Sequence, residues 1–271
     1  MDRWSFISPE DHRMGEEFLA SGYWVQATED SAAATAIQAL AAELAAKYLA
    51  VDIDDEPGHF LDTIHTRVSP DRLNELRLAV FNGMQEREWV RPALFATARR
   101  ALEILVGNEL AMQLRVNLSI QLPEDNSSLL PIHCDVWNGD SPYEVVVWLP
   151  LVDCRATKSM FILPAPADAR WQRRLGQFAG RPAEELFRAV EPELEWLNVS
   201  FGQVVLFTQN VLHGNRVNRE SSTRWSLNCR FKGVFTPYAE KRLGDFFEPV
   251  TLRPATRLGA AYALPGMTEN E

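Results

Sequence analysis

Two histidines and an aspartate have the side-chain types and the spacing needed to hold one metal ion. His133 and Asp135 are two positions apart, so on an extended strand both side chains leave the same face and can meet at one ion. A second histidine, His213, follows an apolar run much later in the chain. Two imidazoles and one carboxylate are the ligand set of the non-haem Fe(II) facial triad, which leaves coordination positions open for other ligands. These three residues are therefore the candidate catalytic residues and iron ligands.

A candidate anion clamp follows the second histidine. Polar and apolar residues alternate there, which places Arg224, Ser226 and Arg230 on one face of a strand. A guanidinium group can hold a carboxylate through two parallel hydrogen bonds, while a neighbouring hydroxyl supplies a third. This arrangement suits the distal carboxylate of 2-oxoglutarate. We predict Arg224 with Ser226 as its binding site, and Arg230 as the second choice or as a contact for an anionic group of the substrate.

The order and offsets of these motifs resemble a known group of enzymes. His133-x-Asp135, then His213, then Arg224-x-Ser226 is similar to the pattern of the Fe(II)/2-oxoglutarate-dependent dioxygenase superfamily, and within it to the phytanoyl-CoA-dioxygenase-like branch. The flanking segments 146–151, 160–164 and 202–207 agree with that branch, and the resemblance covers residues 110–235. The run 132–164 is also similar to oxygenases encoded among carbohydrate-biosynthesis genes.

The resemblance implies a fold, cofactors and a reaction. The fold is a double-stranded β-helix (a jelly roll, cupin-like), the metal is Fe(II), and 2-oxoglutarate and O2 are the co-substrates. The presence of Asp135 favours hydroxylation or a dependent desaturation over halogenation, because related halogenases lack this carboxylate. The chain departs from the branch at 164–167, where it has Pro-Ala-Pro-Ala in place of a Pro-Gly-Ser-His turn. This departure concerns the substrate more than the iron site.

Two other classes of function share this fold. One is a cupin-like barrel that uses a divalent metal for isomerisation or hydrolysis without 2-oxoglutarate. The other is a non-catalytic sugar-binding barrel that has kept the metal motif. Neither needs an anion clamp at the offset of Arg224 and Ser226, so that pair is the feature that separates them from an oxygenase.

The loop after the iron motif contains candidate substrate contacts. Trp137, Asn138, Asp140 and Tyr143 follow Asp135 closely, so we expect the loop to border the open face of the iron. Aromatic platforms with polar groups suit a sugar, although the same composition is typical of a turn. Together with the carbohydrate-gene resemblance, this predicts hydroxylation of a small polar, sugar-derived metabolite.

A polar row alternates with apolar residues between 112 and 122. Asn117 and Gln121 belong to this row, whose partners on the other face include Leu118 and Ile120. The row either faces solvent or lines a polar pocket inside a barrel. In the second case Gln121 or Asn117 is a candidate contact for 2-oxoglutarate or the substrate.

Composition excludes several classes of partner. The chain has 271 residues, 46% of them hydrophobic and 24% charged, which is ordinary for a globular protein. Its formal charge of −10 argues against binding nucleic acid or an anionic membrane, since both rely on basic patches. A strongly anionic substrate such as a CoA thioester is also disfavoured, although Arg170, Arg173 and Arg174 form a local basic patch. We therefore expect a small-molecule substrate, and the sequence does not predict an oligomeric state.

Three cysteines and the amino terminus bear on the compartment. Cys134, Cys154 and Cys229 are odd in number and lack the spacing of a metal site, so a disulfide scaffold is not expected. The first residues lack the apolar block of a signal peptide, and no segment is long enough to span a bilayer. These features indicate a cytoplasmic protein.

The predicted elements place the motifs in one domain, 1–271, of the α+β class with a mainly β core. Region 1–110 is mainly helical and packs on the sheet, with helices expected over 9–20, 31–50, from 70 to just before Gly83, and from Pro92 to Gly107. Region 111–235 is the catalytic jelly roll, and 236–271 is an irregular C-terminal wrap. A helical insertion at 171–190 is either a lid over the site or a solvated bridge.

Overall fold

A computed structural model describes residues 6–263. Helices dominate the first part of the chain, because apolar residues recur there at helical spacing and caps mark the ends. The side chain of Ser8 caps α1, and that of Asp30 caps α2. The helices before the first central strand are α1 (Pro9–Ser21), α2 (Ser31–Leu49), α3 (Pro57–Asp62), α4 (Leu73–Gln85), α5 (Val90–Ala96) and α6 (Arg99–Leu105).

Within residues 6–263, ten strands form two antiparallel sheets. The strands are β1 (Tyr23–Ala27), β2 (Leu110–Gln113), β3 (Asn117–Gln121), β4 (Val145–Pro150), β5 (Phe161–Ile162), β6 (Glu195–Trp196), β7 (Gln203–Thr208), β8 (His213–Gly214), β9 (Arg224–Gly233) and β10 (Phe247–Thr251). The larger sheet has the order β1-β7-β4-β9-β2-β10, with β3 paired to β9 beside β2. The smaller sheet has the order β6-β5-β8.

The ten-residue strand β9 has opposite chemistry on its two faces. Trp225, Leu227 and Phe231 are fully buried on the face that the helices cover. The indole nitrogen of Trp225 donates to the carbonyl of Leu61 in α3 over 3.0 Å, and the ring of Phe231 lies 6.0 Å from that of Phe95 in α5. The other face carries the polar residues of the candidate clamp. One apolar core thus fixes which way the clamp points.

The structure confirms a mixed fold of helices and antiparallel sheet, and it corrects two helix boundaries. Helix α4 does not end before Gly83 but runs through it. A Cβ atom at Gly83 would lie 2.6 Å from a methyl group of Leu44, so glycine allows α4 and α2 to approach closely. The helix expected from Pro92 to Gly107 is two helices, α5 and α6. Thr97 separates them, and its hydroxyl donates to the carbonyl of Leu94 over 2.7 Å.

The C-terminal segment is more regular than predicted. Within 236–263, strand β10 pairs with β2 at the edge of the larger sheet, and a helix, α9 (Pro254–Ala260), follows. Pro249 is compatible with a strand here because an edge strand has one side without ladder partners. Pro254 occupies the first turn of α9, where a missing N–H costs nothing. Residues 264–271 of the predicted wrap, and 1–5 at the other end, lie outside the described residues.

The insertion between β5 and β6 is packed, not a solvated bridge. It contains α7 (Ala165–Gln172) and α8 (Ala183–Val190). Trp171 and Phe187 from these helices join Ile132, Phe161 and Leu212 in a second apolar cluster. This cluster lies against the segments that carry the two candidate histidines. The expected departure at 164–167 marks the start of α7 and not a turn.

The structure bears on two sequence features, the cysteines and the absence of a long apolar segment. All three cysteines are buried free thiols. None of the helices in 6–263 has the length and apolar character required to cross a membrane.

Candidate metal centre

The three candidate ligands meet at one point. His133 and His213 lie opposite each other in an antiparallel bridge and exchange two backbone hydrogen bonds of 2.9 Å, so their side chains share one face. Cys134 is extended and Asp135 begins a short 3-10 turn, which brings its carboxylate back to the histidines. An oxygen of Asp135 lies 3.3 Å from Nε2 of His133 and 3.8 Å from Nε2 of His213. Among the described residues, this is the group of three whose ligand atoms lie within 4.8 Å of one another.

Backbone carbonyl groups orient both imidazole rings. Nδ1 of His133 lies 2.8 Å from the carbonyl oxygen of Pro131, and Nδ1 of His213 lies 3.0 Å from that of Val211. A carbonyl oxygen only accepts hydrogen bonds, so each Nδ1 must carry the proton. In the neutral ring the lone pair is then on Nε2, which faces Asp135. This outer hydrogen bond is typical of metal-binding histidines, and the three side chains fit a divalent metal ion.

The electrostatics of the three groups differ. Burial lowers the pKa of His213 to about 4, so this ring is neutral near pH 7. Burial also acts to lower the pKa of His133, but hydrogen bonds to Asp135 and Pro131 outweigh it and raise the pKa above its ordinary value. Burial favours protonation of Asp135, yet the hydrogen bond that His133 donates when its ring is protonated, and the charge of Arg230, hold the pKa of Asp135 well below the usual range.

We therefore expect the two histidines of the metal-free protein to titrate in a fixed order. As the pH falls, His133 takes up its proton first, above its ordinary pKa, and His213 follows at about pH 4. Metal binding has to displace the proton of His133, so metal affinity should fall with pH over the same range. Ring-nitrogen NMR shifts measure both titrations. Protonation of both rings together near pH 6.5 would contradict the assigned environments.

A chain of charged groups supports the candidate carboxylate ligand, Asp135. Nη2 of Arg230 lies 3.2 Å from the second oxygen of Asp135, and its Nε lies 3.1 Å from Asp140 without good hydrogen-bond alignment. Lys241, from the C-terminal segment, pairs with the other oxygen of Asp140. Arg230 thus directs one of its N–H donors at the carboxylate of Asp135, the candidate iron ligand itself. The contact with Arg230 keeps one oxygen of Asp135 turned away from the two histidines and leaves the other oxygen beside them.

The site opens into a cavity of about 520 Å³ between the two sheets. This volume is in the usual range for small-molecule sites. The floor is the His133, Asp135 and His213 group. Apolar walls come from Val146, Trp148, Met160 and Phe207, and polar walls come from Arg77, Asn117, Ser119, Ser127, Ser128, Asn138, Asn215, Arg224, Asn228, Arg230 and Lys241. The polar row of β3 thus faces a polar pocket at Asn117 and Ser119.

Arg224 is a buried cation without a counter-charge. It is 3% exposed, and its Nη2 donates to the hydroxyl of Ser119 over 2.9 Å. Its Nε has no partner, and the buried hydroxyl oxygens of Ser159 and Ser226 also lack partners. Among the described residues, no carboxylate lies within ion-pair distance of Arg224. Burial lowers its pKa to about 10, so the guanidinium stays charged at neutral pH. Its Nη1 also reaches the carbonyl oxygen of Ser159 over 3.4 Å, while neither Ser159 nor Ser226 lines the cavity. The guanidinium of Arg224 does line it and keeps one donor free, which fits a carboxylate ligand.

Comparison with solved structures identifies the fold. A non-haem monooxygenase, ThoJ, in a nickel complex aligns with a TM-score of 0.59 and 16% identity over 89% of this chain and 84% of that chain. EctD from S. alaskensis, solved with 2-oxoglutarate and 5-hydroxyectoine, aligns with a TM-score of 0.57 and 19% identity over 87% of this chain and 80% of that chain. This chain has the fold of the non-haem iron, 2-oxoglutarate-dependent oxygenases.

Further comparisons limit what the fold tells about the reaction. SnoK, a carbocyclase dependent on α-ketoglutarate from nogalamycin biosynthesis, aligns with a TM-score of 0.55 and 15% identity over 91% of this chain and 97% of that chain. No protein-family model matches the sequence, and no curated protein matches it significantly. The superfamily resemblance read from the motifs is thus confirmed as a fold, while the phytanoyl-CoA-dioxygenase-like branch is not.

Within this oxygenase fold, the other candidate residues divide into two groups. Asn138 lines the cavity together with the three candidate iron ligands. Gln121 is fully buried, and its amide donates to the carbonyl of Arg216 over 2.6 Å, outside the cavity lining. Trp137 and Tyr143 are 49% and 54% exposed and do not line the cavity either. Trp137 borders a separate apolar pocket of about 320 Å³ beside the insertion.

Several residues that position the site were missed by the sequence reasoning. Asp168 of α7 accepts a hydrogen bond of 2.9 Å from the backbone N–H of Leu212, next to the second histidine. The side chain of Asn215 accepts from the N–H of Leu130 over 2.7 Å and so ties the loop at the cavity wall to β8. Asn215 directly follows the segment His213-Gly214, and this position next to a candidate ligand could have marked it as a site residue. Asp168 has no such signal, because only the fold brings α7 to this strand.

The glycine after His213 allows a close approach of three segments. A Cβ atom at Gly214 would lie 2.7 Å from the carbonyl oxygen of Leu130 and 2.9 Å from the ring of Phe161. We expect Gly214→Ala to lower the free energy of unfolding by about 1–3 kcal/mol, since crowding of this kind forces backbone shifts. It should also weaken metal binding, because the shift moves β8.

Denaturant unfolding and a Co(II) titration measure both effects of Gly214→Ala. Gly259→Ala is the control, since Gly259 lies in α9 with open space around its Cβ position. Equal stability and metal affinity in the two variants would contradict the tight packing around β8.

Proposed function

We propose that this protein is an Fe(II)- and 2-oxoglutarate-dependent oxygenase that hydroxylates a small polar, sugar-derived metabolite. When bound, the iron and its co-substrates would supply oxidative attack on an unactivated carbon. His133, Asp135 and His213 would hold the metal and leave one side of it open to the cavity. The roles of the protein's own groups follow from the contacts described above.

The observation that carries the proposal is the uncompensated guanidinium of Arg224 in the same cavity as the three ligands. A buried cation without a counter-charge is costly for stability, so its presence in this cavity indicates a function. The nearby hydroxyl of Ser119 donates or accepts as needed, and the free hydroxyl of Ser226 lies on the same face of the sheet. We assign Arg224 to the distal carboxylate of 2-oxoglutarate, with Ser226 and Ser119 assisting.

Arg230 has a different proposed role from the one first expected. Its contacts with Asp135 and Asp140 make it a positioning residue for the carboxylate ligand and not the main clamp. Gln121 is buried behind the cavity wall, and we propose that it supports the strand that carries Ser119. These assignments leave Arg224 as the principal residue for the co-substrate.

The two alternative functions do not explain why Arg224 is present in the cavity. A metal-dependent isomerase or hydrolase, or a sugar-binding barrel, would use the three metal ligands or the polar walls. Neither would need an isolated guanidinium facing the metal cavity. The oxygenase proposal explains both features together.

The sugar-derived substrate is supported by the chemistry of the walls. Asn117, Asn138 and Asn228 offer amide groups, and Ser127 and Ser128 offer hydroxyls. Such groups can pair with several hydroxyls of a compact ligand. Trp137 and Tyr143 lie outside the lining, so we propose them only as rim contacts for a larger substrate.

A product assay tests the proposal. Purified protein with Fe(II), 2-oxoglutarate and ascorbate is supplied with free sugars, sugar acids, sugar phosphates, nucleotide-linked sugars, acyl-CoA esters or amino acids. We expect succinate to rise with a member of the sugar group, and the product to gain one oxygen atom. Loss of two hydrogens would indicate desaturation or ring closure, and an unchanged mass would indicate epimerisation. Stimulation by an acyl-CoA or an amino acid alone would remove the sugar proposal.

We further propose that the whole chain is one catalytic domain located in the cytoplasm. A single apolar cluster links residues of the N-terminal helices with residues of the larger sheet, which supports one domain. The buried free thiols suit a reducing compartment.

A further inference from the structure

Helix α4, outside the β core, contributes a cation to the iron cavity. The side chain of Arg77 lines the same cavity as His133, Asp135 and Arg224. It is half-buried and donates a hydrogen bond to Asn74 one turn earlier on the helix. No carboxylate in residues 6–263 lies within ion-pair distance of it. Its charge is therefore free to meet a ligand.

The balance of charges on the cavity walls is positive. Besides the histidines, the charged side chains that line the cavity are four cations and two anions: Arg77, Arg224, Arg230, Lys241, Asp135 and Asp140. Direct contacts pair Arg230 and Lys241 with the two aspartates. Arg224 and Arg77 are then the two lining cations without a counter-charge. The whole chain has a formal charge of −10, so this positive surplus is local to the cavity.

Loading the site as proposed leaves one of these cations without a partner. Fe(II) brings two positive charges and 2-oxoglutarate brings two negative charges, so together they do not change the sum. The distal carboxylate of 2-oxoglutarate would neutralise Arg224. Arg77 would then face the substrate space unpaired, in a partly enclosed cavity where charge attraction is stronger than in open water.

We propose that Arg77 binds a single anionic group of the substrate, a carboxylate or a phosphate. The inference rests on the proposed function and narrows it: the substrate is an anionic derivative of a small polar molecule, such as a sugar acid or a sugar phosphate. The loop hydroxyls of Ser127 and Ser128 line the same cavity. The Ser128 hydroxyl is buried without a partner and can donate to the same oxyanion. One guanidinium matches one anionic group, which agrees with the expectation that polyanions are disfavoured.

Paramagnetic relaxation of small anions tests this assignment without knowledge of the full substrate. Mn(II) replaces Fe(II), 2-oxoglutarate is added, and inorganic phosphate or [13C]acetate is titrated while its 31P or 13C relaxation is followed. We expect saturable relaxation enhancement of at least one anion by the wild-type protein. Arg77→Gln should weaken that binding at least tenfold, and Arg77→Lys should restore part of it.

The control removes the same charge from the same region. Arg87 is exposed just beyond α4 and does not line the iron cavity, so Arg87→Gln should leave anion binding unchanged. The absence of saturable enhancement, or equal enhancement in wild type and Arg77→Gln, would overturn the proposal. The Mn(II) EPR spectrum, recorded before and after 2-oxoglutarate is added, reports on the proposed function separately. An unchanged spectrum would count against co-substrate binding, whatever the anions do.

Discussion

Alanine in place of His213 is expected to weaken binding of Fe(II) or Co(II) by at least about 100-fold, since the loss of outer hydrogen-bond partners alone costs about 10–100-fold. Succinate formation should fall to background. The ring of His213 is buried, packs edge-on against Phe207 and presents Nε2 to Asp135. The same result is expected for His133→Ala and for Asp135→Ala, because each would remove one of the three proposed protein ligands.

The control for the ligand variants is His59→Ala. His59 is exposed at α3, contacts Asp55 and is not among the residues that line the cavity. This variant should bind Co(II) with the affinity of the wild type. If any one of the three ligand variants keeps full metal affinity and activity, that residue does not hold the metal.

Arg224→Met should weaken 2-oxoglutarate binding without lowering the thermal stability of the protein. The substitution removes the partner of a buried carboxylate, so we expect 2-oxoglutarate binding to weaken by about 2–5 kcal/mol. Metal affinity should be preserved. In the ligand-free protein, an apolar side chain of similar length replaces an uncompensated buried charge, so the Tm should be equal to or higher than that of the wild type. Calorimetric titration and thermal unfolding measure the two effects.

Arg91→Met is the matched control for that variant. Arg91 pairs with Glu248 at the edge of the larger sheet and lies outside the cavity lining. Its loss should leave 2-oxoglutarate affinity unchanged. A large fall in the Tm of Arg224→Met, with normal 2-oxoglutarate affinity, would show that Arg224 is a structural residue.

The local arrangement of His133 and Asp135 was predictable because spacing and residue type determine it. An extended backbone at Cys134 places His133 and Asp135 on one side and the thiol on the other, where it contacts the carbonyl groups of Gln209 and Asn210. The inclusion of His213 came from the facial-triad ligand set and the order of the motifs, since its bridge to His133 joins distant parts of the chain. The period-two pattern likewise placed Arg224 on the polar face of β9.

The remaining parts of the site depend on long-range packing. Arg77 reaches the cavity because α4 packs beside β3, and nothing in the local pattern of α4 distinguishes Arg77 from other polar helix residues. Lys241 reaches Asp140 from the segment before β10. The whole wrap 236–271 was expected to be irregular because of its prolines, which holds for the turns around Lys241 but not for β10 and α9. An edge strand and a helix start both accept proline, so composition alone misled the prediction.

The candidate substrate loop shows a further limit of sequence reasoning. Trp137 and Asn138 are neighbours, yet only Asn138 faces the cavity, because the 3-10 turn that begins at Asp135 points them in different directions. Residue type suggested that both contact the substrate. The turn geometry that separates them depends on how the loop meets the insertion.

The central claim is that one cavity holds Fe(II) and 2-oxoglutarate together, and an anaerobic titration tests it most directly. Protein with one equivalent of Fe(II) is titrated with 2-oxoglutarate while the visible spectrum is recorded. We predict that the weak charge-transfer band of the iron chelate appears and saturates in the wild type. In Arg224→Met the band should appear only at much higher 2-oxoglutarate concentration. A wild-type protein that binds Fe(II) but develops no band at any 2-oxoglutarate concentration would contradict the account.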